Sequence, residues 1–221
     1  MDTEIFMLNE INSFIFDLDD TLVESERLNV FLISDYFKGE WELDLDEEDR
    51  NIVFGYSWQH IYDFITKKYA LPVSIAEVQD DVIARKRNYL SNNKLKVATG
   101  LEKVLALPMR KVIVSGSGKD EINIMLENVG LCGSFEALFS VDDYINGKPA
   151  PDGFLMALNY LRVARQNVVV FEDSKGGIVS AREAGLTSVF MKEFAVADHS
   201  HMADHSFSDF NEFYAYYLQL A

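Results

Sequence analysis

The sequence predicts an α/β fold, with a parallel sheet covered by helices on both faces and a small helical domain inserted near the N-terminus. Strongly apolar, β-rich runs recur at wide spacing, and segments with helical periodicity lie between them. Such alternation is typical of a parallel sheet with helices on both faces. A long stretch after the first run has helical periodicity and no convincing strand, which indicates the insertion.

Five strands are predicted. The strongly apolar ones lie at residues 14–16, 112–114 and 168–171, and weaker runs lie at 137–140 and 187–191. Each strongly apolar run ends in polar residues that are capable of chemistry. Because ligands of parallel sheets bind at the carboxyl ends of the strands, we expect the functional site along that edge.

Helices are predicted where apolar residues recur with helical spacing. In the sheet domain they cover 120–129, 153–163 and 211–220. In the insertion they cover 26–37, 46–53, 58–69 and 75–90, the last after a capping box formed by Ser74 and Glu77. We therefore expect a sheet domain at 1–23 and 98–221, an inserted domain at 24–97, and linkers near 23–25 and 96–100.

Composition limits the partners. The 221 residues are 48% hydrophobic and include 16 Phe, enough to bury a full core. The net charge is −16, from 20 Lys and Arg against 36 Asp and Glu. Nucleic acids and anionic membranes are bound by clustered basic residues, so we expect neither as a partner. A phosphorylated substrate would need local cations.

The sequence predicts a cytoplasmic protein. Its single cysteine, Cys132, excludes an intrachain disulfide and fits a reducing compartment, where we expect it to pack in the interior. The first residues are acidic where a signal peptide would be basic, and no apolar stretch is long enough to span a bilayer. For the oligomeric state, we expect a monomer or a small homo-oligomer.

The first strand ends in Asp17-Leu18-Asp19-Asp20-Thr21. Three adjacent carboxylates repel one another and are depleted in strands, so they indicate a bound cation. Mg²⁺ is the simplest, because it is a hard ion that prefers oxygen ligands. The alternative for this segment alone is a solvated turn in which Asp20 or Thr21 caps a helix.

Three later clusters favour the cation. Ser115-Gly116-Ser117 follows the second strong strand and precedes a helix, so its hydroxyl and amides can bind an anion. Lys148 lies in a loop stiffened by two prolines. Glu172-Asp173 adds a second pair of carboxylates at a third strand end.

Taken in order, these four clusters resemble the motifs of the haloacid dehalogenase superfamily, and the resemblance covers nearly the whole chain. The strings around Lys148 and Glu172, together with a helical insertion directly after the first motif, resemble the branch with a small helical cap. That branch contains sugar-phosphate phosphatases, phosphoglycolate phosphatases and β-phosphoglucomutases. The resemblance implies a Rossmann-like core and a cap domain that closes over the site.

The resemblance also implies residue roles. Asp17 would be the nucleophile that forms an aspartyl-phosphate, and Asp19 the general acid and base. Mg²⁺ would be held by the Asp17 carboxylate, the Asp19 backbone carbonyl and Asp173, with Glu172 ligating directly or through water.

The phosphoryl oxygens would be held by Ser115 and Lys148, with the Gly116 amide beside them. Thr21 would order the loop. Asp20 stands where this branch often has glycine, and we assign it no metal contact.

Substrate choice is expected to depend on the cap. The loop at 54–58 offers Tyr56 and Trp58, and the basic run at 85–87 offers Arg87. Mutases of this branch typically have a basic residue at the position of Trp58, and that residue grips a second phosphate. Trp58 cannot do so, and it could instead stack on an apolar sugar face. The simpler alternatives are that Trp58 packs between cap helices and that the basic run is a solvated helix face.

These observations favour a Mg²⁺-dependent phosphatase acting on a small phosphorylated metabolite such as a sugar phosphate. A β-phosphoglucomutase would share every core motif and is the main alternative. A catalytically inactive binding protein would lack at least one motif residue, and none is lacking. Dehalogenases and phosphonate hydrolases of this superfamily lack an acid at the position of Asp19. We interpret His199, His201 and His205 as part of a surface loop.

Overall fold

The computed structural model describes residues 10–54 and 58–220. The described residues form one parallel sheet of six strands in the order β3-β2-β1-β4-β5-β6. The strands are β1 (Ser13–Phe16), β2 (Arg110–Val114), β3 (Ala137–Phe139), β4 (Val168–Glu172), β5 (Thr187–Met191) and β6 (His205–Phe207). The predicted fold class is confirmed, and all five predicted strands are present.

Strand β1 lies at the centre of the sheet, hydrogen-bonded to β2 on one side and β4 on the other. All four of its residues are buried, which explains its continuous apolar sequence. Phe16 stacks on Phe171 of β4 with ring centroids 4.9 Å apart. Burying one such ring contributes about 1.5–3 kcal/mol, so the centre of the sheet is a rigid platform for the residues that follow it.

Helices cover both faces of this sheet. They are α5 (Leu101–Leu105), α6 (Lys119–Val129), α7 (Asp152–Leu161), α8 (Lys175–Glu183) and α9 (Phe210–Leu220). One buried cluster includes Phe14, Phe16 and Phe171 and packs against α9. The other includes Ile15 and Val170 and packs against α7 and α8. Adjacent residues of a strand point to opposite faces, so each strand supplies both clusters.

The insertion forms four helices between β1 and β2: α1 (Glu26–Trp41), α2 (Glu47–Val53), α3 (Trp58–Tyr69) and α4 (Ile75–Asn92). They enclose a separate apolar cluster that includes Phe37, Ile65 and Val82. The Ser74–Glu77 capping box begins α4 as predicted. We call these four helices the cap.

The two linkers of the cap run side by side. Glu24 N donates to Lys96 O at 3.0 Å, and Ala98 N donates to Leu22 O at 2.9 Å. The Glu193 carboxylate accepts hydrogen bonds from the Thr99 amide and hydroxyl, both at 2.7 Å. These two linkers, which lie side by side, are therefore the covalent connections between the cap and the sheet domain.

Three expectations are corrected. His205 begins the edge strand β6, which pairs with β5, although its sequence, His-Ser-Phe, has one apolar residue and no strand pattern of its own. Cys132 is exposed and is not packed in the core. Several helices extend beyond their predicted ends, since α1 runs to Trp41 and α4 to Asn92. Among the described residues, no helix has both the length and the apolar character needed to cross a membrane.

Candidate active site

The four sequence clusters meet at the carboxyl ends of three adjacent strands. Asp17 follows β1, Ser115 follows β2, and Glu172 is the last residue of β4. Asp17 N donates to Phe171 O at 2.9 Å, which extends the pairing of β1 with β4 by one residue. The parallel register therefore fixes the backbone of Asp17 beside Glu172.

Lys148 connects the carboxylates. Its Nζ lies 2.5 Å from Asp17 Oδ1 and 2.5 Å from Glu172 Oε1. Burial alone would lower the pKa of Lys148, but the two carboxylates outweigh it and raise the pKa. Burial raises the pKa of Asp17 to about 8, opposed by the Lys148 ammonium and reinforced by Glu172 and Asp19. Lys148 is thus a permanently charged group aimed at the Asp17 carboxylate.

Three serine hydroxyls hold Asp19. Ser25 Oγ donates to Asp19 Oδ1 at 2.6 Å. Ser115 Oγ and Ser117 Oγ donate to Asp19 Oδ2 at 3.1 Å and 2.8 Å. Ser25 belongs to the first linker, and the other two belong to the loop after β2. The carboxylate of Asp19 therefore sits where the cap linker meets the sheet edge.

The carboxylate of Asp173 accepts a hydrogen bond from Thr21 Oγ1 at 2.9 Å. Burial raises its pKa well above the ordinary value, and the charges of Glu172, Asp17 and Asp20 add to that effect. A divalent cation would stabilise the charged form of buried carboxylates whose pKa values are raised by burial and by mutual repulsion. Asp17 and Asp173 are hard oxygen donors, so this pair fits Mg²⁺.

Glu172 is positioned differently from the other acids. Its Oε1 faces Lys148, and its Oε2 accepts from the Asp173 amide at 3.0 Å and the Ser174 amide at 2.8 Å. A side chain on Gly177 would clash with it, because an added Cβ would lie 1.7 Å from Glu172 Oε1. Both carboxylate oxygens are thus engaged, which favours an indirect role for Glu172 at a metal.

No cluster of three or more His, Cys, Asp or Glu side chains in the described ranges is arranged to hold a metal ion. The predicted ligand set differs from such a cluster because one of its members is the Asp19 backbone carbonyl. Within that set, the side chains of Asp17 and Asp173 are the ones that fit direct ligation.

Two of the predicted phosphate-binding residues contact these acids, Ser115 at Asp19 and Lys148 at Asp17. Ser115 is buried, and Tyr144 fixes its backbone by donating a hydrogen bond to Ser115 O at 2.8 Å. Burial raises the pKa of Tyr144 to about 12, with smaller contributions from surrounding charges, so the phenol remains a donor. Gly116 is exposed in the loop between β2 and α6.

The basic run of the cap is divided between two surroundings. Lys86 is buried, and its Nζ lies 2.7 Å from Glu121 Oε1 of α6. Arg87 is exposed, and Arg85 pairs with Asp35 and two other acids. Successive residues of a helix lie about 100° apart, so Lys86 meets the sheet domain while Arg87 faces solvent, and a role of Arg87 in substrate choice stays a prediction.

Trp58 combines packing within the cap with a polar contact to the sheet domain. It packs against the apolar cluster of the cap, and its Nε1 donates to Glu121 Oε2 at 3.3 Å. Tyr56 lies outside the described residues.

Several residues at the site carry no recognisable signal in the sequence. Ser25 and Tyr144 act through single hydrogen bonds, and Glu121 lies in an ordinary helical pattern. Asp20 has a positive φ of 53°, and its Oδ1 accepts from the Ser25 and Glu26 amides at 2.9 Å and 3.1 Å. It therefore orders the first linker.

Known proteins are similar to this chain in sequence and in fold. The chain matches the haloacid dehalogenase-like hydrolase family over residues 14–191. A probable pseudouridine-5'-phosphatase from Drosophila melanogaster is 28% identical over 205 residues, which cover 85% of this chain and 84% of that protein. A phosphorylated carbohydrates phosphatase from Thermotoga maritima is 26% identical over 198 residues, which cover 81% of this chain and 84% of that protein.

The solved structure of CbbY from Rhodobacter sphaeroides, in complex with phosphate, has the same fold. It superposes with a TM-score of 0.81 at 21% identity and covers 91% of this chain and 96% of that chain. The family match spans both the strand-end clusters and the cap. The chain therefore belongs to the haloacid dehalogenase-like hydrolase family.

Proposed function

We propose that this hydrolase is a Mg²⁺-dependent phosphatase that removes the phosphoryl group from a small phosphorylated sugar or a similar phosphomonoester. The observation that carries the proposal is the pairing of Asp17 with Lys148 at the end of the central strand, 2.5 Å apart. It gives a carboxylate nucleophile and a cation for phosphate oxygens within one buried site.

In the first step an Asp17 oxygen attacks phosphorus in line with the leaving group. The bond from phosphorus to the sugar oxygen breaks, and Asp19 supplies the proton that this oxygen gains. In the second step water attacks the aspartyl-phosphate and gives its proton to Asp19. The bond from phosphorus to Asp17 then breaks, so inorganic phosphate leaves and both carboxylates return to their starting states.

Mg²⁺ would be held by the Asp17 and Asp173 carboxylates and the Asp19 carbonyl. When bound, it would neutralise the repulsion between Asp17 and a phosphate dianion. Lys148 would hold the oxygens of the transferred phosphoryl group, with the Ser115 hydroxyl and the Gly116 amide. Glu172 would keep Lys148 in place through its own 2.5 Å contact.

The substrate class rests on the relatives and on the site. Two relatives carry names that describe phosphatases of a nucleoside phosphate and of phosphorylated carbohydrates. Asp17, Ser115 and Glu172 are buried, and we expect the cap to move when a substrate reaches them. A small metabolite fits beneath a cap that then excludes water.

The test is phosphate release by the purified protein from sugar phosphates, phosphoglycolate and nucleotides, with Mg²⁺ or with a chelator. We expect release from at least one sugar phosphate that the chelator abolishes and that added Mg²⁺ restores. Absence of release from every compound, or release unaffected by the chelator, would contradict the proposal.

A second assay addresses the mutase. The protein is incubated with β-glucose 1-phosphate and a catalytic amount of glucose 1,6-bisphosphate. We expect inorganic phosphate as the product of any reaction, and glucose 6-phosphate appearing without matching phosphate release would establish the mutase in its place.

A further inference from the structure

An ion pair between the cap and the sheet domain lies above the loop that follows β2. Lys86 of α4 and Glu121 of α6 approach to 2.7 Å, and their side chains are 0% and 4% exposed. Two charges this deeply buried are costly unless they are well paired. Under the proposed function this boundary opens for substrate, so the pair is placed to affect binding as well as folding.

Glu121 accepts hydrogen bonds from donors on both sides of the boundary between the cap and the sheet domain. The Trp58 indole reaches its Oε2 at 3.3 Å, and the Gly118 amide lies 3.5 Å from the same oxygen. Gly118 directly follows Ser117, whose hydroxyl contacts Asp19 at 2.8 Å. One short loop therefore connects the part of the site where the phosphate is expected with the Glu121 carboxylate.

The charges at the sheet edge and at the boundary with the cap differ. Where the phosphate is expected, Lys148 faces Asp17 and Glu172. At the boundary with the cap, the Lys86 ammonium is neutralised by Glu121, so it offers no free positive charge to the far end of a substrate. A second phosphate group there would have to displace the carboxylate from Lys86 and then remain close to it, which like-charge repulsion opposes.

A hydroxyl group meets no such barrier. It can donate to a Glu121 oxygen and accept from the Lys86 ammonium or the Trp58 indole, which matches the donor and acceptor capacity of a sugar hydroxyl. Resting on the proposed function, we infer that Glu121 is a specificity-determining residue. It restricts the substrate to a single phosphate whose far end is uncharged and bears hydroxyl groups.

The test measures binding without turnover. Calorimetric titrations use the Asp17→Asn background with two matched pairs: fructose 1-phosphate against fructose 1,6-bisphosphate, and glucose 1-phosphate against glucose 1,6-bisphosphate. With Glu121 present, we expect the bisphosphates to bind no more tightly than the monophosphates. Adding Glu121→Gln frees the Lys86 ammonium, and the ratio of bisphosphate to monophosphate affinity should rise about tenfold or more.

Two further variants identify the cause. Asp120→Asn removes an exposed carboxylate one residue away, and we expect it to leave the ratio unchanged. The double variant Lys86→Met, Glu121→Gln removes both charges, and its ratio should fall between those of the parent and Glu121→Gln. It also tests the inference if Glu121→Gln alone does not fold.

A purely structural ion pair would change the affinities for monophosphates and bisphosphates by the same factor, and that result would overturn the inference. So would a parent protein that prefers bisphosphates, or a double variant with the parent's ratio. Phosphate release from the sugar phosphates, phosphoglycolate and nucleotides by the protein with Asp17 intact tests the proposed phosphatase separately. Its absence would overturn that proposal while the titrations still report on Glu121.

Discussion

The Lys148 ammonium and the Asp17 carboxylate lie 2.5 Å apart although 131 residues separate them in the sequence. The contact holds because Asp17 ends the central strand and Lys148 lies in a loop that returns to the same sheet edge. It places a fixed positive charge at the atom that we propose attacks phosphorus. The consequences for the surrounding residues can be tested individually.

Asp17→Asn should abolish turnover and leave the fold intact. An amide is a far poorer nucleophile than a carboxylate, but it has the same shape and can still accept a hydrogen bond from Lys148. Phosphate release and circular dichroism through thermal unfolding measure the two effects. A variant that retained a substantial share of the activity would show that Asp17 is not the nucleophile.

Asp19→Ala should lower the rate on alkyl phosphates by about 100-fold or more, because it removes the general acid. p-Nitrophenyl phosphate has a leaving group that needs little protonation, so its rate should fall much less. The comparison of kcat for the two substrates gives the measurement. Equal losses on both would assign Asp19 to another role, such as holding Ser115 and Ser117.

Gly177→Ala should displace Glu172 and lower activity, because the new Cβ would lie 1.7 Å from Glu172 Oε1. The matched control is Gly176→Ala, whose Cβ would meet only Lys148 Cβ at 3.9 Å. Both changes make the helix more rigid to a similar degree. We expect kcat/KM to fall at least about tenfold in Gly177→Ala and little in Gly176→Ala. Similar losses in both would contradict a specific role for Glu172.

Glu193→Gln should weaken the second linker in a pH-dependent way. Burial would raise the pKa of Glu193, but Thr99 and Lys96 outweigh it and lower the pKa below its ordinary 4.5. A lowered pKa stabilises the fold above the unfolded pKa, and this contribution disappears as the pH falls through the folded pKa. The variant should therefore lose about 1 kcal/mol at neutral pH, and the difference should vanish in acid.

Urea unfolding at neutral pH and in acid measures this difference. The control is Glu183→Gln, which changes an exposed carboxylate at the end of α8. A difference from the parent protein that persisted in acid would show that the charge of Glu193 is not what holds the linker.

The strand ends were predictable because their signal is local. The apolar run before Asp17 is a buried central strand, and an abrupt change to carboxylates shows in the sequence itself. The order of Asp17, Ser115, Lys148 and Glu172 along the chain then placed them at one sheet edge, since parallel strands bring their carboxyl ends together. The cap was equally predictable, because four segments with helical periodicity interrupt the pattern of strands.

Other features depended on partners distant in the chain. The edge strand at His205 exists through its pairing with β5, not through its own pattern. Within the basic run of the cap, helical geometry allows only one residue to face the sheet domain, and the position of α6 selects Lys86 over Arg87. Glu121 is an ordinary helical residue until the cap packs on it. The sequence alone thus determined the fold and the carboxylate, hydroxyl and lysine residues that gather at the sheet edge. The tertiary structure decided which charges meet between the cap and the sheet domain, because that depends on how the cap docks on the sheet domain.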